Sequence, residues 1–321
     1  MKKGTLVNLK SIAKNNFIII LAVLVIYIAI ILYSDIEKFL QVASHVDLQK
    51  ILFVLFLMSL SMLLLALRFH RLVLALGAQI NIKKSIAIYF LGLAFSVTPF
   101  SSGTVIKSHI IKRDLSIPIA KTFPIILIEK WNELVAVVIL LVFFLLLQFT
   151  LESALVTVLG VVLVSVFLVI IKNERTFVIF KKIGSKISFL KQIEENVNNS
   201  KNSIQILTNR KNTAEGIVFT LASKILETIS VVLVFETVGI SLNFATSGQV
   251  YFSGVLLGFL SLIPGGLGIT EGSILGLLLR LGNDFALASA AVIMIRLATF
   301  WFPTALGLIT VKFFMKEKFS L

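Results

Sequence analysis

Six runs of this chain are, or nearly are, apolar and long enough to cross a bilayer: residues 17–33, 51–67, 119–149, 154–171, 214–236 and 286–311. A hydrocarbon core about 30 Å thick is crossed by about 20 helical residues. Inside it every backbone N–H and C=O needs a partner within the protein, so runs of this kind fold as helices. Charge is correspondingly scarce, at 14% of residues against about 25% in soluble domains. The first run follows Lys2, Lys3, Lys10 and Lys14, as in a signal peptide. It ends in Tyr33-Ser34-Asp35 rather than a small-x-small cleavage site, which predicts an uncleaved first helix.

Two further apolar segments, 86–113 and 248–281, are interrupted. The interruptions are Thr98-Pro99-Phe100-Ser101-Ser102-Gly103 and Pro264-Gly265-Gly266-Leu267-Gly268. Proline removes a helical donor and clashes with the preceding turn, and glycine permits a reversal. Neither segment is long enough for two ordinary spans. Each is expected to be a re-entrant helical hairpin, with complete short helical pairs as the alternative. The fold class is therefore an all-α polytopic bundle, a single membrane domain over 1–321, with about six spans and two hairpins.

The net charge of +14 would suit a nucleic-acid partner, but the basic residues sit in short loops between apolar runs. With the N-terminus in the cytoplasm and both hairpins re-entrant, the inside segments hold 24 of the 30 Lys and Arg. The outside loops hold Lys38, Lys50 and Arg280, and Lys130, Lys224 and Arg296 lie within spans. This positive-inside bias predicts a multi-pass plasma-membrane protein with both termini cytoplasmic. The polar stretch 172–213 carries a lysine-rich segment, Thr176–Leu190, expected to lie as a basic amphipathic helix on anionic lipid.

The interrupted segments resemble each other. Tyr89-Phe90-x-Gly92 recurs as Tyr251-Phe252-x-Gly254, and Pro99 with Gly103 recurs as Pro264 with Gly268. In the predicted topology the two hairpins open to opposite sides. The spacing therefore suggests an inverted repeat, with units at about 51–149 and 214–311, a plan in which paired broken helices mark a midplane site. These residue types are common in membrane helices, so coincidence remains the competing reading.

Charges within spans are costly and are candidate functional groups. Helix 119–149 carries Glu129, Lys130 and Glu133; helix 214–236 carries Lys224 and Glu227; Arg296 lies mid-way along 286–311. Lys130 and Glu133, like Lys224 and Glu227, are spaced to pair on one helix. Such pairing, merely holding the bundle together, is the alternative to function. The breaks create half-helix N-termini whose free N–H groups favour an anion. A lipid phosphate between them, Lys107 and Arg296 would be well matched, although Glu271, three residues after Gly268, is also placed to cap its helix. Candidate head-group residues are thus Lys107, Arg296, Glu129, Glu133 and Glu271, with Pro99, Gly103, Pro264, Gly265, Gly266 and Gly268 lining the breaks.

Pro264-Gly265-Gly266-Leu267-Gly268-Ile269-Thr270-Glu271 resembles the Pro-Gly-Gly-x-Gly-x-x-Glu motif of the lysylphosphatidylglycerol synthase membrane region, also called the flippase-like family. Arg68 with Leu72 and Gly77, and Thr98-Pro99 with Gly103 and Lys107, are similar to its weaker motifs. Glu129-Lys130-Trp131-Asn132-Glu133 stands where the family has a Glu-Arg-x-x-Asp-like element, a departure at Lys130 and Glu133. The resemblance runs from about residue 15 to 312. It implies a membrane region that moves a lipid between leaflets. Where the family carries a separate cytosolic acyltransferase-like domain, that domain makes lysylphosphatidylglycerol. These residues hold no such domain, so aminoacyl-lipid synthesis is not expected. Stand-alone relatives are associated with polyprenol-linked sugars, which widens the choice of cargo.

The expected function is therefore a flippase or transporter for a phospholipid or a polyprenyl-phosphate-linked lipid. The alternatives are an enzyme of lipid-linked glycosyl or aminoacyl transfer, or a membrane subunit beside a lipid-modifying transferase. Against an enzyme, the sequence has no Asp-x-Asp, no His-Glu-x-x-His and no cysteine; His45, His70 and His109 fit no ligand spacing. No metal and no cofactor is expected.

Overall fold

The structure, a computed structural model, describes residues 28, 36–44, 46–96, 105–172 and 197–319, and among these there is no β-strand. The elements run α1 (Ile36–Ser44), α2 (Leu48–Ala75), α3 (Ile82–Leu93), α4 (Val105–Leu115), α5 (Ile119–Leu147) and α6 (Leu151–Lys172). They continue with α7 (Val197–Leu207), α8 (Arg210–Thr237), α9 (Phe244–Leu260), α10 (Ile269–Arg280) and α11 (Phe285–Arg296). A five-residue π turn, Leu297–Trp301, leads into α12 (Phe302–Phe319). Five of the six apolar runs fall in helices long and apolar enough to cross a membrane: α2, α5, α6, α8 and the joined α11–α12. The sixth, 17–33, lies outside the described residues, as do the break from Thr98 to Gly103 and the segment Thr176–Leu190.

The limbs of the interrupted segments are short. α3, α4 and α10 have 11 or 12 residues, about 18 Å of helix, against the roughly 30 Å of a full crossing. The polar stretch 172–213 is partly docked rather than free. Within it α7 packs on α5, burying Ile204 and Leu207, and the Ser200 hydroxyl donates to the Ala120 carbonyl at 2.7 Å.

α2 and α8 cross antiparallel through the middle of the bundle, where Ser61 Oγ and Ser223 Oγ lie 2.8 Å apart, 162 positions apart in sequence. That separation is the one at which Tyr-Phe-x-Gly recurs, and more residues share it. Gly77 and Gly239 end α2 and α8 with φ of 78° and 84°. Asn81 and Asn243 then cap α3 and α9, accepting from Lys83 N and Thr246 N. Ser85 and Ser247, Tyr89 and Tyr251 follow on those helices, all buried. The closing glycines are where the limb beyond the break packs: the Lys107 stem lies against Gly92, and Ile274 and the Thr270 carbonyl lie against Gly254.

Two buried clusters fill the interior. One joins α2, α3, α4, α7 and the first half of α5; the other joins α8 to α11 and the second half of α5. The long helix after each break crosses to the other half. α5 packs on α9, the Phe144 ring against Gly248, and α12 packs on α3, Gly307 against the backbone of Phe90 and Ala94.

At the end of α4, outside the spans, Asp114 accepts from Arg113 Nε at 2.6 Å and faces Lys84 Nζ at 3.0 Å. Burial pushes its carboxyl up, but Arg113 and Lys84 outweigh this and hold it below the usual carboxylate range. A lowered folded value means stability that is full above the unfolded carboxylate range and is lost as pH falls through the folded one. Asp114→Asn is expected to lower the melting temperature near neutral pH. The gap from wild type should close in acid; a gap independent of pH would contradict this account.

Candidate functional site

The helical period of α2 sets Ser61, Leu65, Arg68 and Leu72 in one buried stripe. α5 presents Glu129 and Glu133, one turn apart, to the same region. α4 brings Lys107 from beyond the first break. Lys107 Nζ donates to Glu129 Oε2 at 2.5 Å, and Arg68 Nη2 lies 3.3 Å from Glu133 Oε1 and 3.6 Å from Glu129 Oε1. Arg68 Nη1 donates to Thr220 Oγ1 of α8 at 2.8 Å, and Lys130 Nζ pairs with Glu133 Oε2 at 2.8 Å. The Lys107 ammonium also stands over Phe69 and Tyr89, 4.8 and 5.2 Å from the ring centres. Arg68, Glu129 and Lys107 are 1, 3 and 4% exposed, so these charges are desolvated and held by one another.

A second group forms at the other break. Gly265, Gly266 and Gly268 adopt φ of 64°, 63° and 85°, open to glycine at little cost. A side chain at Gly265 would also strike the Phe300 ring. The turn delivers Glu271 to the start of α10, where its Oε2 accepts from Gly268 N at 2.8 Å. Its Oε1 accepts from Arg296 Nε at 2.8 Å, while Arg296 Nη2 donates to the Gly265 carbonyl at 2.8 Å and the guanidinium covers Phe300. Glu271 and Arg296 are both buried.

Between the groups, Lys224 Nζ clasps both oxygens of Glu227 at 2.7 and 2.8 Å. Ser61 Oγ reaches Glu227 Oε1 at 3.5 Å, and the Tyr251 hydroxyl donates to its Oε2 at 3.2 Å. A buried polar track thus runs through an otherwise apolar bundle. At the Arg71 end of α2, a crevice of about 190 Å³ separates α2 from α8; it is lined by Arg68, Arg71, Asn212, Glu215 and Gly216, among others. Arg71 and Glu215 pair across it at 2.9 Å. At the far end of the same helices Lys50 and Glu236 pair at 3.4 Å.

A family model for the lysylphosphatidylglycerol synthase transmembrane region matches residues 19–307. The chain belongs to this family. A UPF0104 membrane protein of Pyrococcus horikoshii is 22% identical to it over 320 residues, 92% of this chain and 95% of the relative. A UPF0104 membrane protein of Methanothermobacter thermautotrophicus is 31% identical over 155 residues, 45% of this chain and 46% of the relative, so that match takes in under half of either. A second from that organism is 31% identical over 90 residues, 28% of this chain and 27% of the relative.

In this lysylphosphatidylglycerol synthase transmembrane region, the residues singled out by sequence assemble into two groups rather than one. Lys107, Glu129 and Glu133 meet in the first; Arg296, Glu271, Gly265 and Gly268 meet in the second, with Pro264 and Gly266 in its turn. Pro99 and Gly103 lie outside the described residues. A phosphate between Lys107, Arg296 and the half-helix N-termini is not how these groups are disposed. Lys107 is bound to Glu129, and the start of α10 holds the Glu271 carboxylate with Arg296 on it. Sequence reasoning left out Arg68, Thr220, Tyr251 and Asn132. For Arg68 a signal existed: it continues the stripe of Ser61 and Leu65, so helical spacing extended past the apolar run would have placed it inside.

Proposed function

We propose that this chain moves a phosphate-bearing lipid between leaflets, with the head group received at the Arg68–Lys107–Glu129–Glu133 cluster. The observation that carries this is the cluster itself: five charged side chains, three of them almost fully buried, in a bundle whose outer faces are apolar. Buried ionisable groups in membrane helices line pathways and substrate sites. The crevice at the Arg71 end gives the cluster a mouth. The family's name ties its members to lysylphosphatidylglycerol, a lipid of this class.

The 162-residue correspondence from Ser61/Ser223 to Gly92/Gly254 supports an inverted repeat about the α2–α8 crossing. The pairs beyond the breaks are equivalent with the charges exchanged: Lys107 on Glu129 in one half, Glu271 on Arg296 in the other. In an alternating-access cycle the halves rock about α2 and α8. The basic loops place both termini in the cytoplasm of a plasma-membrane protein, with the crevice opening inward.

The test is reconstitution. Purified protein goes into liposomes carrying fluorescent phosphatidylglycerol, lysylphosphatidylglycerol or a polyprenyl-phosphate sugar in turn, and the exchange between leaflets is timed. At least one lipid is expected to cross faster than in protein-free vesicles, and Lys107→Met, checked for folding by size exclusion, should abolish the gain. Crossing no faster than in empty vesicles for every lipid would refute the reading.

A further inference from the structure

We propose that the head-group site selects a lipid phosphate with no compensating ammonium, so that its cargo is net anionic and an aminoacylated, cationic lipid is a poor one. This rests on the lipid-moving reading above and names the class of lipid. The charge count in the cluster is uneven: Arg68, Lys107 and Lys130 face only Glu129 and Glu133. The neighbouring ionised groups cancel, since Lys224 is matched by Glu227 and Arg71 by Glu215. One positive charge is left in a buried site, where an uncompensated ion is costly and an anion is favoured.

Hydrogen-bonding capacity is left over in the same place. Arg68 Nε has no partner among the described residues, and the residue forms the floor of the crevice. Neither polar atom of the fully buried Asn132 side chain has one among the described residues. Asn132 abuts Gly216, on the crevice wall, where a Cβ would collide with its amide. A guanidinium N–H and an amide N–H beside one excess charge suit phosphate oxygens. Both cluster carboxylates already accept from Lys or Arg, so an ammonium on the cargo would find no anion unclaimed there.

Lys130 and Glu133 give a clean test, because they pair with each other at the less buried rim of the cluster. Lys130→Gln and Glu133→Gln break the same ion pair, but the first takes the net charge to zero and the second raises it. Leaflet exchange would be followed for phosphatidylglycerol, phosphatidylethanolamine and lysylphosphatidylglycerol in proteoliposomes. Wild type should move phosphatidylglycerol fastest and lysylphosphatidylglycerol slowest. Lys130→Gln should slow phosphatidylglycerol about tenfold, and Glu133→Gln should leave it equal or faster. Slowing by similar factors in both variants would mean the pair is structural and would overturn the proposal. Lysylphosphatidylglycerol moving as fast as phosphatidylglycerol would overturn it while leaving the transport reading intact. Uptake of soluble glycerol phosphate in place of lipid exchange would reassign the site to a free phosphate ester. Failure of every lipid to move would remove the transport reading and this inference together.

Discussion

Glu129→Gln is expected to destabilise the protein by about 3–5 kcal/mol, because it strands two buried cations rather than removing one contact. Lys107 Nζ loses its carboxylate at 2.5 Å, and the charge at 3.6 Å from Arg68 Nη2 disappears. Neither cation can turn to water, since Lys107 is wrapped by Phe69, Tyr89 and Gly92 and Arg68 is 1% exposed. Thermal unfolding in detergent would measure the loss. Adding Lys107→Met, which keeps most of the stem's packing and deletes the stranded charge, should return a large part of it. A double variant as unstable as the two single changes added together would mean that the pair has no coupling energy, contrary to this account.

Glu271→Gln should cost a similar amount, about 3–5 kcal/mol, for a related reason. Glu271 serves both Gly268 N and Arg296 Nε, and a neutral amide can supply one oxygen but no charge. Arg296→Lys is the informative companion. It retains the charge but cannot reach Glu271 and the Gly265 carbonyl together, so about half the loss is expected. Hydrogen exchange at the amides of residues 265–271 should rise in both variants. Unchanged protection there would show that the glycine turn holds itself without the ion pair.

Much of this was legible in the sequence, and the limits have physical causes. Hydropathy located the spans because lipid imposes a length on every crossing, but it marks where apolar side chains stop rather than where the helix does. α2 continues eight residues past its apolar run to Ala75, and Arg68, read as a loop residue, lies inside it. The contacts Lys130–Glu133 and Lys224–Glu227 could be read from helical spacing alone. Lys107–Glu129 and Glu271–Arg296 bridge 22 and 25 residues across a turn and belong to tertiary structure. That is why Arg296, with no acid within a turn of it, passed for a cation waiting for a ligand. The repeat showed only its Tyr-Phe-x-Gly end, because the glycine turns and asparagine caps that complete it gain meaning once the helix ends are located.

The π turn at Leu297–Trp301 sets two separate registers on one continuous rod. Upstream of it Arg296 is aimed at Glu271; downstream Gly307 is aimed at the backbone of Phe90 and Ala94. Such a turn accommodates one more residue than an α-helix would. Deleting any one of the five would heal the helix while rotating all that follows by about 100°. Arg296 would keep its carboxylate and the far end would lose its seat on α3. This helix is therefore expected to tolerate many side-chain exchanges around 297–301 but no change in their number.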